Sequence, residues 1–331
     1  MNYESELVSP FDRLLGDLFT ADAVRSIESG SADPQIWASV KESGFLDALV
    51  PESQGGVGLS FANVLPLFLA LGKRAVPLPI GETMIARAIL AEAGIDIPDG
   101  PIALSAPSLI VLAAREAEHV LTEDCGGVSL QSLTAASLAS DGVNGSRDAF
   151  APDPVERTSQ DNGSSRLMPA FAILTAALIA GAAEAAVEMC VEYAGQRIQF
   201  GKPIGKQQVL QQNLVLATEH VLAARLACEM AAQAADWPLL LPAANAKAIA
   251  AQAVPIVAQT AHALHGAIGI SAEYDLNLLT RRMYAWRLAG GAESYWACEL
   301  GRKVLADSRS TLEVMRGELF GASITNDTDP A

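Results

Sequence analysis

Residues 171–197, FAILTAALIAGAAEAAVEMCVEYAGQR, read as a helix with almost no polar face. Small and apolar side chains surround its axis, with Gly181 in the middle, and a helix that is apolar nearly all round is stable only when buried between neighbours. The sequence supplies those neighbours. Residues 206–237, 243–266 and 292–315 each read as a further long helix with short connections between them. Together the four predict an antiparallel bundle. No apolar run is long and clean enough to predict a membrane span.

The first hundred residues predict helices punctuated by turns. Asp33 and Pro34 pair as an N-cap and first-turn proline, and Gly44 closes that helix. Ser60 opens an apolar helix to about Gly72, and another runs from roughly Glu82 to Ala93 before Gly94. From Pro101 the character changes: the apolar runs in PIALSA, EHVLTED and GVSLQSL alternate with Gly, Ser and Asp, as short strands do. SDGVNGSRD and ERTSQDNGSS read as loops. The expected organisation is a helical domain over 1–100, a small β segment over 101–165, a helical bundle over 166–321 and a disordered tail over 322–331. The chain is mainly α.

Composition excludes several functions. A formal net charge of −16 repels nucleic-acid phosphates. Four histidines are too few for a dense His-ligated metal site. Cys125, Cys190, Cys228 and Cys298 are scattered without a CxxC pair, which fits reduced thiols in a cytoplasm. The N-terminal MNYESELVSP lacks the basic-then-apolar pattern of a signal peptide. Cytoplasmic location, with neither membrane nor nucleic acid as partner, is the expectation.

Between two of the predicted helices lies QRIQFGKPIGKQQ, residues 196–208. Gly201, Pro203 and Gly205 are ordinary helix-stopping residues, so a solvated turn accounts for them. An anion site, where Arg197 and backbone N–H groups meet a phosphate, accounts for them too. Spacing alone leaves both readings open.

Over nearly its whole length the chain resembles the acyl-CoA dehydrogenase family of flavoproteins. Residues 36–79 are similar to that family's N-terminal helical domain, with Trp37, Pro51–Glu52, Gly55, Gly56 and Gly58 in place. VEYAGQRIQFGKPIGKQQVLQ carries its R-x-x-F-G-x-x-I-x-x-x-Q pattern, and the stretch from Ala263 to Arg302 is similar to its glycine-rich turn and final helices. The resemblance implies FAD as cofactor, held partly by a neighbouring subunit's R-x-x-F-G segment. Arg197 would then pair with pyrophosphate or ribose oxygens through charge-assisted hydrogen bonds. Phe200 would pack on the adenosine side and Gln208 would hydrogen-bond nearby. Gly266 and Gly269 would form the second FAD-contacting turn, and His265 beside them would be a packing or turn residue. An acyl-CoA substrate and an electron-transfer flavoprotein or similar acceptor are implied as partners.

The family's reaction removes the α-proton of an acyl-CoA thioester while a hydride passes from the β-carbon to the flavin, so it needs a positioned carboxylate. Of the two places where the family puts that glutamate, one holds Gly290 here and the other Phe171. Glu293, three residues on, is the remaining candidate. The middle segment is short and lacks tryptophan, and Ala263 replaces a usual glutamine. Three readings follow. The chain is the shorter subunit of a heteromeric enzyme, of the kind that acts on steroid side chains, completing the FAD site of a homologous full-length chain. Alternatively it is a self-sufficient homo-oligomer with an atypical base, or a flavin-free structural or regulatory subunit.

Overall fold

A computed structural model describes residues 3–31, 33–105, 110–112, 115–124, 127–133, 138–140, 147–150 and 165–319. Cys125, the 322–331 tail and most of the two predicted loops at 140–148 and 156–165 lie outside the described residues. Five helices open the chain: α1 (Tyr3–Leu18), α2 (Ala21–Glu28), α3 (Pro34–Glu42), α4 (Phe61–Lys73) and α5 (Ile80–Ala93). Their ends follow local chemistry. Thr20 and Asp33 accept from the backbones of Ala23 and Gln35, and Ser60 with Asn63 forms a reciprocal capping box. Gly94 stops α5 in the left-handed conformation.

Among the described residues six short strands follow, in two three-stranded sheets. β1 (Ile102–Ser105) runs parallel to β3 (His119–Asp124), which pairs antiparallel with β4 (Gly127–Ser132). In the other sheet β6 (Arg147–Phe150) lies between β2 (Ile110–Leu112) and β5 (Leu138–Ser140). The first sheet contains the three strands expected from sequence. Glu123 of β3 also serves the bundle: its carboxylate accepts from the backbone N–H groups of Arg166 at 2.9 Å and Leu167 at 3.0 Å. A negative charge there complements the helix dipole and satisfies donors that have no cap from their own segment.

That helix is α6 (Leu167–Gln196), and it is the axis of the molecule. It packs against α4, α7 (Gln208–Gln233), α8 (Leu240–His265) and α9 (Leu276–Leu288). Glycine makes the α4–α6 crossing possible. A Cβ on Gly72 would lie 2.2 Å from the carbonyl oxygen of Leu178, and one on Gly181 would lie 2.0 Å from that of Leu69. Neither separation is tolerable, so the two backbones touch because both positions lack a side chain. The apolar core therefore runs without interruption from Phe11 to Trp296.

Two sequence expectations change. By length and hydropathy α6 and the Leu240–Ile270 stretch could each cross a bilayer, but 94% and 67% of their most apolar windows are buried inside the protein. Alanine-rich segments reach membrane-like hydropathy while packing as core. The predicted fourth long helix is also broken: α10 (Glu293–Ala306) ends at Asp307, and α11 (Thr311–Leu319) starts afresh. Ser310 and Glu313 form a reciprocal cap, with Ser310 N donating to the Glu313 carboxylate at 2.9 Å and Glu313 N donating to Ser310 Oγ at 3.4 Å. The place beside α6 expected for that helix is taken by α9, while α10 packs on α8.

Candidate functional site

The segment between α6 and α7 is a miniature hairpin, in which β7 (Ile198–Gln199) pairs with β8 (Lys202–Pro203). Its two-residue turn is Phe200–Gly201, with φ of 50° and 78°. Two successive positive φ values at a two-residue hairpin turn match the I′ geometry, where Asn-Gly is the usual occupant. Phenylalanine is a costly choice for the first position, and this ring is 92% exposed. The base of the hairpin is firm: Ile204 N donates to Arg197 O at 2.8 Å, and Gln211 Nε2 donates to Gly205 O at 2.8 Å. Arg197, at the C-cap of α6, is exposed and makes no ion pair among the described residues. Gln208 begins α7, also exposed, at a helix start without a side-chain cap.

The second glycine-rich turn, Gly266–Ile270, follows α8 directly. Gly266 has φ 62° and ψ −140°, which side-chain-bearing residues rarely adopt, and a Cβ there would meet open space. Gly269 is buried, and a Cβ on it would lie 2.8 Å from His265 Cβ. His265 locks the turn to α6. Its ring lies 4.4 Å from that of Tyr193 and 5.3 Å from that of Tyr274, centroid to centroid, and Nδ1 donates to Ala261 O at 2.9 Å. Burial lowers its pKa, which favours the neutral ring. Since Arg197 N donates to Tyr193 O, the Tyr193–His265 stack joins the hairpin to the glycine turn.

Phe171 and Gly290, remote in sequence, meet in space. Phe171 is buried on α6, and a Cβ on Gly290 would sit 2.9 Å from its Cδ1. Gly290 and Gly291 have φ of 63° and 105°. Glu293, in the first turn of α10, is held by Arg287, whose Nε donates to it at 3.0 Å. That contact draws the Glu293 pKa down.

Two buried ionisable groups escape motif reading altogether. Lys247 of α8 has no exposure, its Nζ donates to Trp286 O, and burial lowers its pKa to about 7. Glu82 of α5 lines a cavity of about 10 Å³, the size of one water, with Arg282 and Trp286. Burial raises its pKa to about 7. For Lys247 the available signal was a lone charge in the otherwise apolar α8; α5 carries Arg87 and Glu92 besides Glu82 and gave no such signal.

Residues 165–305 match the family model for the acyl-CoA dehydrogenase C-terminal domain. Acyl-CoA dehydrogenase IpdE2 of Mycobacterium tuberculosis is 30% identical over 262 residues, covering 76% of this chain and 81% of that protein. The chain belongs to the acyl-CoA dehydrogenase family. Among solved structures, the ChsE4–ChsE5 complex from M. tuberculosis superposes with a TM-score of 0.78 at 20% identity, covering 93% of this chain and 99% of the matched one. The Tcur3481–Tcur3483 steroid ACAD variant gives the same score at 21% identity, covering 91% and 97%.

Within an acyl-CoA dehydrogenase, the two places where sequence led us to seek a carboxylate are one location, and a phenyl ring fills it. The R-x-x-F-G segment is different. It projects outward, its tip is exposed, and Arg197 makes no ion pair among the described residues. Off-chain contact suits that arrangement, and the open face of Gly266 gives a backbone that a flat or phosphorylated group could approach. The residues present therefore fit FAD.

Proposed function

We propose that this chain is the shorter subunit of a heteromeric acyl-CoA dehydrogenase. It completes the FAD site of a homologous full-length chain, and that partner carries the base for α,β-desaturation of an acyl-CoA thioester. The observation that carries this reading is Phe200, strained at φ 50° yet 92% exposed. A strained, exposed aromatic gives its own fold nothing, so a ligand or partner must account for it. Arg197 would hold pyrophosphate or ribose oxygens, Phe200 would cover the adenosine, Gln208 would hydrogen-bond beside them, and Gly266 and Gly269 would allow close backbone approach. FAD, when bound, supplies the hydride acceptor.

The partner surface has its own support. Val209, Val215, Leu216, Leu222 and Leu226 on α7 are each 48–60% exposed. An apolar stripe of that length favours cover by another chain. The ChsE4–ChsE5 complex is itself a pairing of two proteins, and the Tcur3481–Tcur3483 protein is a steroid ACAD. Those likenesses support steroid degradation as the setting, and the family resemblance adds a cytoplasmic location and an electron-transfer flavoprotein or similar acceptor to the proposal.

A homo-oligomer using Glu293 is the weaker reading, because Arg287 occupies that carboxylate and lowers its pKa, which makes it a weaker base. Co-expression with a full-length homologous chain, followed by flavin counting, tests the proposal. Half a flavin per chain, falling in Arg197→Ala, is expected. Arg197→Lys should recover only part, since an ammonium cannot reproduce the planar fork. Full desaturase activity and one flavin per chain in the isolated protein would overturn the reading. A colourless assembly would favour a structural subunit.

A further inference from the structure

Helix α2 sends one side chain to the segment after the glycine turn and another to α9 beyond it. Arg25 Nε donates to Ala272 O at 3.1 Å, and its Nη2 donates to Glu273 O at 3.0 Å and to Asp275 Oδ1 at 2.6 Å. One turn along, Glu28 accepts from Arg282 Nε at 3.1 Å and also from Arg281. The segment Ser271–Asp275 is the only covalent link between the turn Gly266–Ile270 and α9. Asp275 occupies the N-cap of α9 but makes no side-chain cap there; its carboxylate is given to Arg25 instead. An aspartate at an N-cap ordinarily accepts from its own helix. Here the local bond is given up for one to an element from the opposite end of the chain.

We infer that Arg25 is a positioning residue for the cofactor turn, holding Gly266–Ile270 in register through the carbonyls of Ala272 and Glu273 and the carboxylate of Asp275. The inference rests on the reading of Gly266 and Gly269 as part of the FAD site. Arg25 suits the role because a guanidinium presents several fixed donors at once, which lysine cannot. It is a poor candidate for a mere fold anchor. Its side chain is 27% exposed, and α2 is anchored independently by buried Val24 and Ile27. The acceptors it would release can be hydrated, so its loss should free the turn without melting the helices.

The test uses the co-expressed assembly, stripped of flavin and titrated with FAD, with Arg25→Ala, Arg25→Lys and Arg197→Ala compared. Arg25→Ala should weaken FAD binding about tenfold, the order expected when one charge-assisted hydrogen-bonding group is lost. Amide hydrogen exchange over 266–277 should quicken in the flavin-free protein while the melting temperature holds. Arg25→Lys should fall between. If Arg25→Ala does not fold, Asp275→Asn decides, with a smaller effect of the same sign expected. Unchanged exchange and unchanged FAD affinity in the Arg25 variants, with Arg197→Ala still weakening FAD, would overturn the clamp and leave the cofactor reading intact. No effect in any variant, Arg197→Ala included, would remove the cofactor reading and this inference with it.

Discussion

Replacing Phe200 with asparagine should make the protein more stable and a worse flavin binder. The left-handed conformation costs an ordinary L-residue about 1–2 kcal/mol, and Phe200 sits at φ 50°. Asn-Gly is a preferred pair for a I′ turn, so Phe200→Asn relieves most of that strain. The packing given up is small. Full burial of a phenylalanine is worth about 1.5–3 kcal/mol, and this ring is 92% exposed, so only a few tenths are lost on that scale. The net gain is about 1 kcal/mol, or roughly 2 °C in melting temperature for a chain of this size. Stacking of an aromatic side chain on a base is worth about 1–3 kcal/mol, so FAD should bind about tenfold or more weakly. Thermal unfolding of the flavin-free assembly and an FAD titration read the two effects separately. Phe200→Ala is the control: it loses the ring but keeps the strained backbone, so affinity should fall without the gain in stability. A drop in melting temperature for Phe200→Asn would mean that the ring supports its own fold and is not kept for a ligand.

Gly181→Ala should destabilise the chain by several kcal/mol, because its methyl would meet the Leu69 carbonyl at 2.0 Å; an unchanged urea midpoint would contradict the crossing. Glu293→Gln should leave turnover of the assembly nearly intact, whereas removing the full-length partner's catalytic carboxylate should abolish it. Glu82 holds its proton to about pH 7 when folded against an ordinary value of 4.5, so its contribution is present below 4.5 and lost as pH rises to about 7, on the order of 3 kcal/mol. Lys247 has the opposite sign: the folded state binds less proton between about 7 and 10.5, so stability climbs with pH across that window. Urea midpoints taken from pH 5 to 9 should therefore lose their acidic-side decline in Glu82→Gln and their alkaline-side rise in Lys247→Met.

What was legible in the sequence was what depends on neighbours along the chain. The caps at Asp33 and Ser60, the stop at Gly94 and the all-round apolarity of α6 each follow from a few adjacent residues. The break before α11 was legible by the same rule, since Ser310 and Glu313 spell a capping box; reading 292–315 as one continuous helix passed over it. The R-x-x-F-G spacing marked the hairpin but not its I′ turn, because phenylalanine is not what that turn normally selects. The remaining features depend on partners distant in the chain. Glu123 caps α6 from a strand, Arg25 holds the 272–275 segment from α2, and Lys247 finds a carbonyl on α9. Spacing within one helix carries no information about any of them.

The contact between Phe171 and Gly290 sets what it would take to install a carboxylate at this position. Changing Gly290 to glutamate supplies a carboxylate but meets two obstacles at once. The backbone at φ 63° disfavours any side chain, and the first atom added would press on the Phe171 ring at 2.9 Å. Removing the ring by Phe171→Ala relieves the clash and leaves the backbone strain, while opening a cavity where a buried phenylalanine stood, at about 3–5 kcal/mol. Installing a carboxylate here therefore requires the turn, the ring and the packing of α6 to change together. Selection acting on one position at a time would find each intermediate less stable than the start. The outward hairpin faces no such coupling, because Phe200 touches little of its own chain. On the proposed reading, packing around Phe171 keeps the base position filled while the exposed hairpin stays open to a ligand.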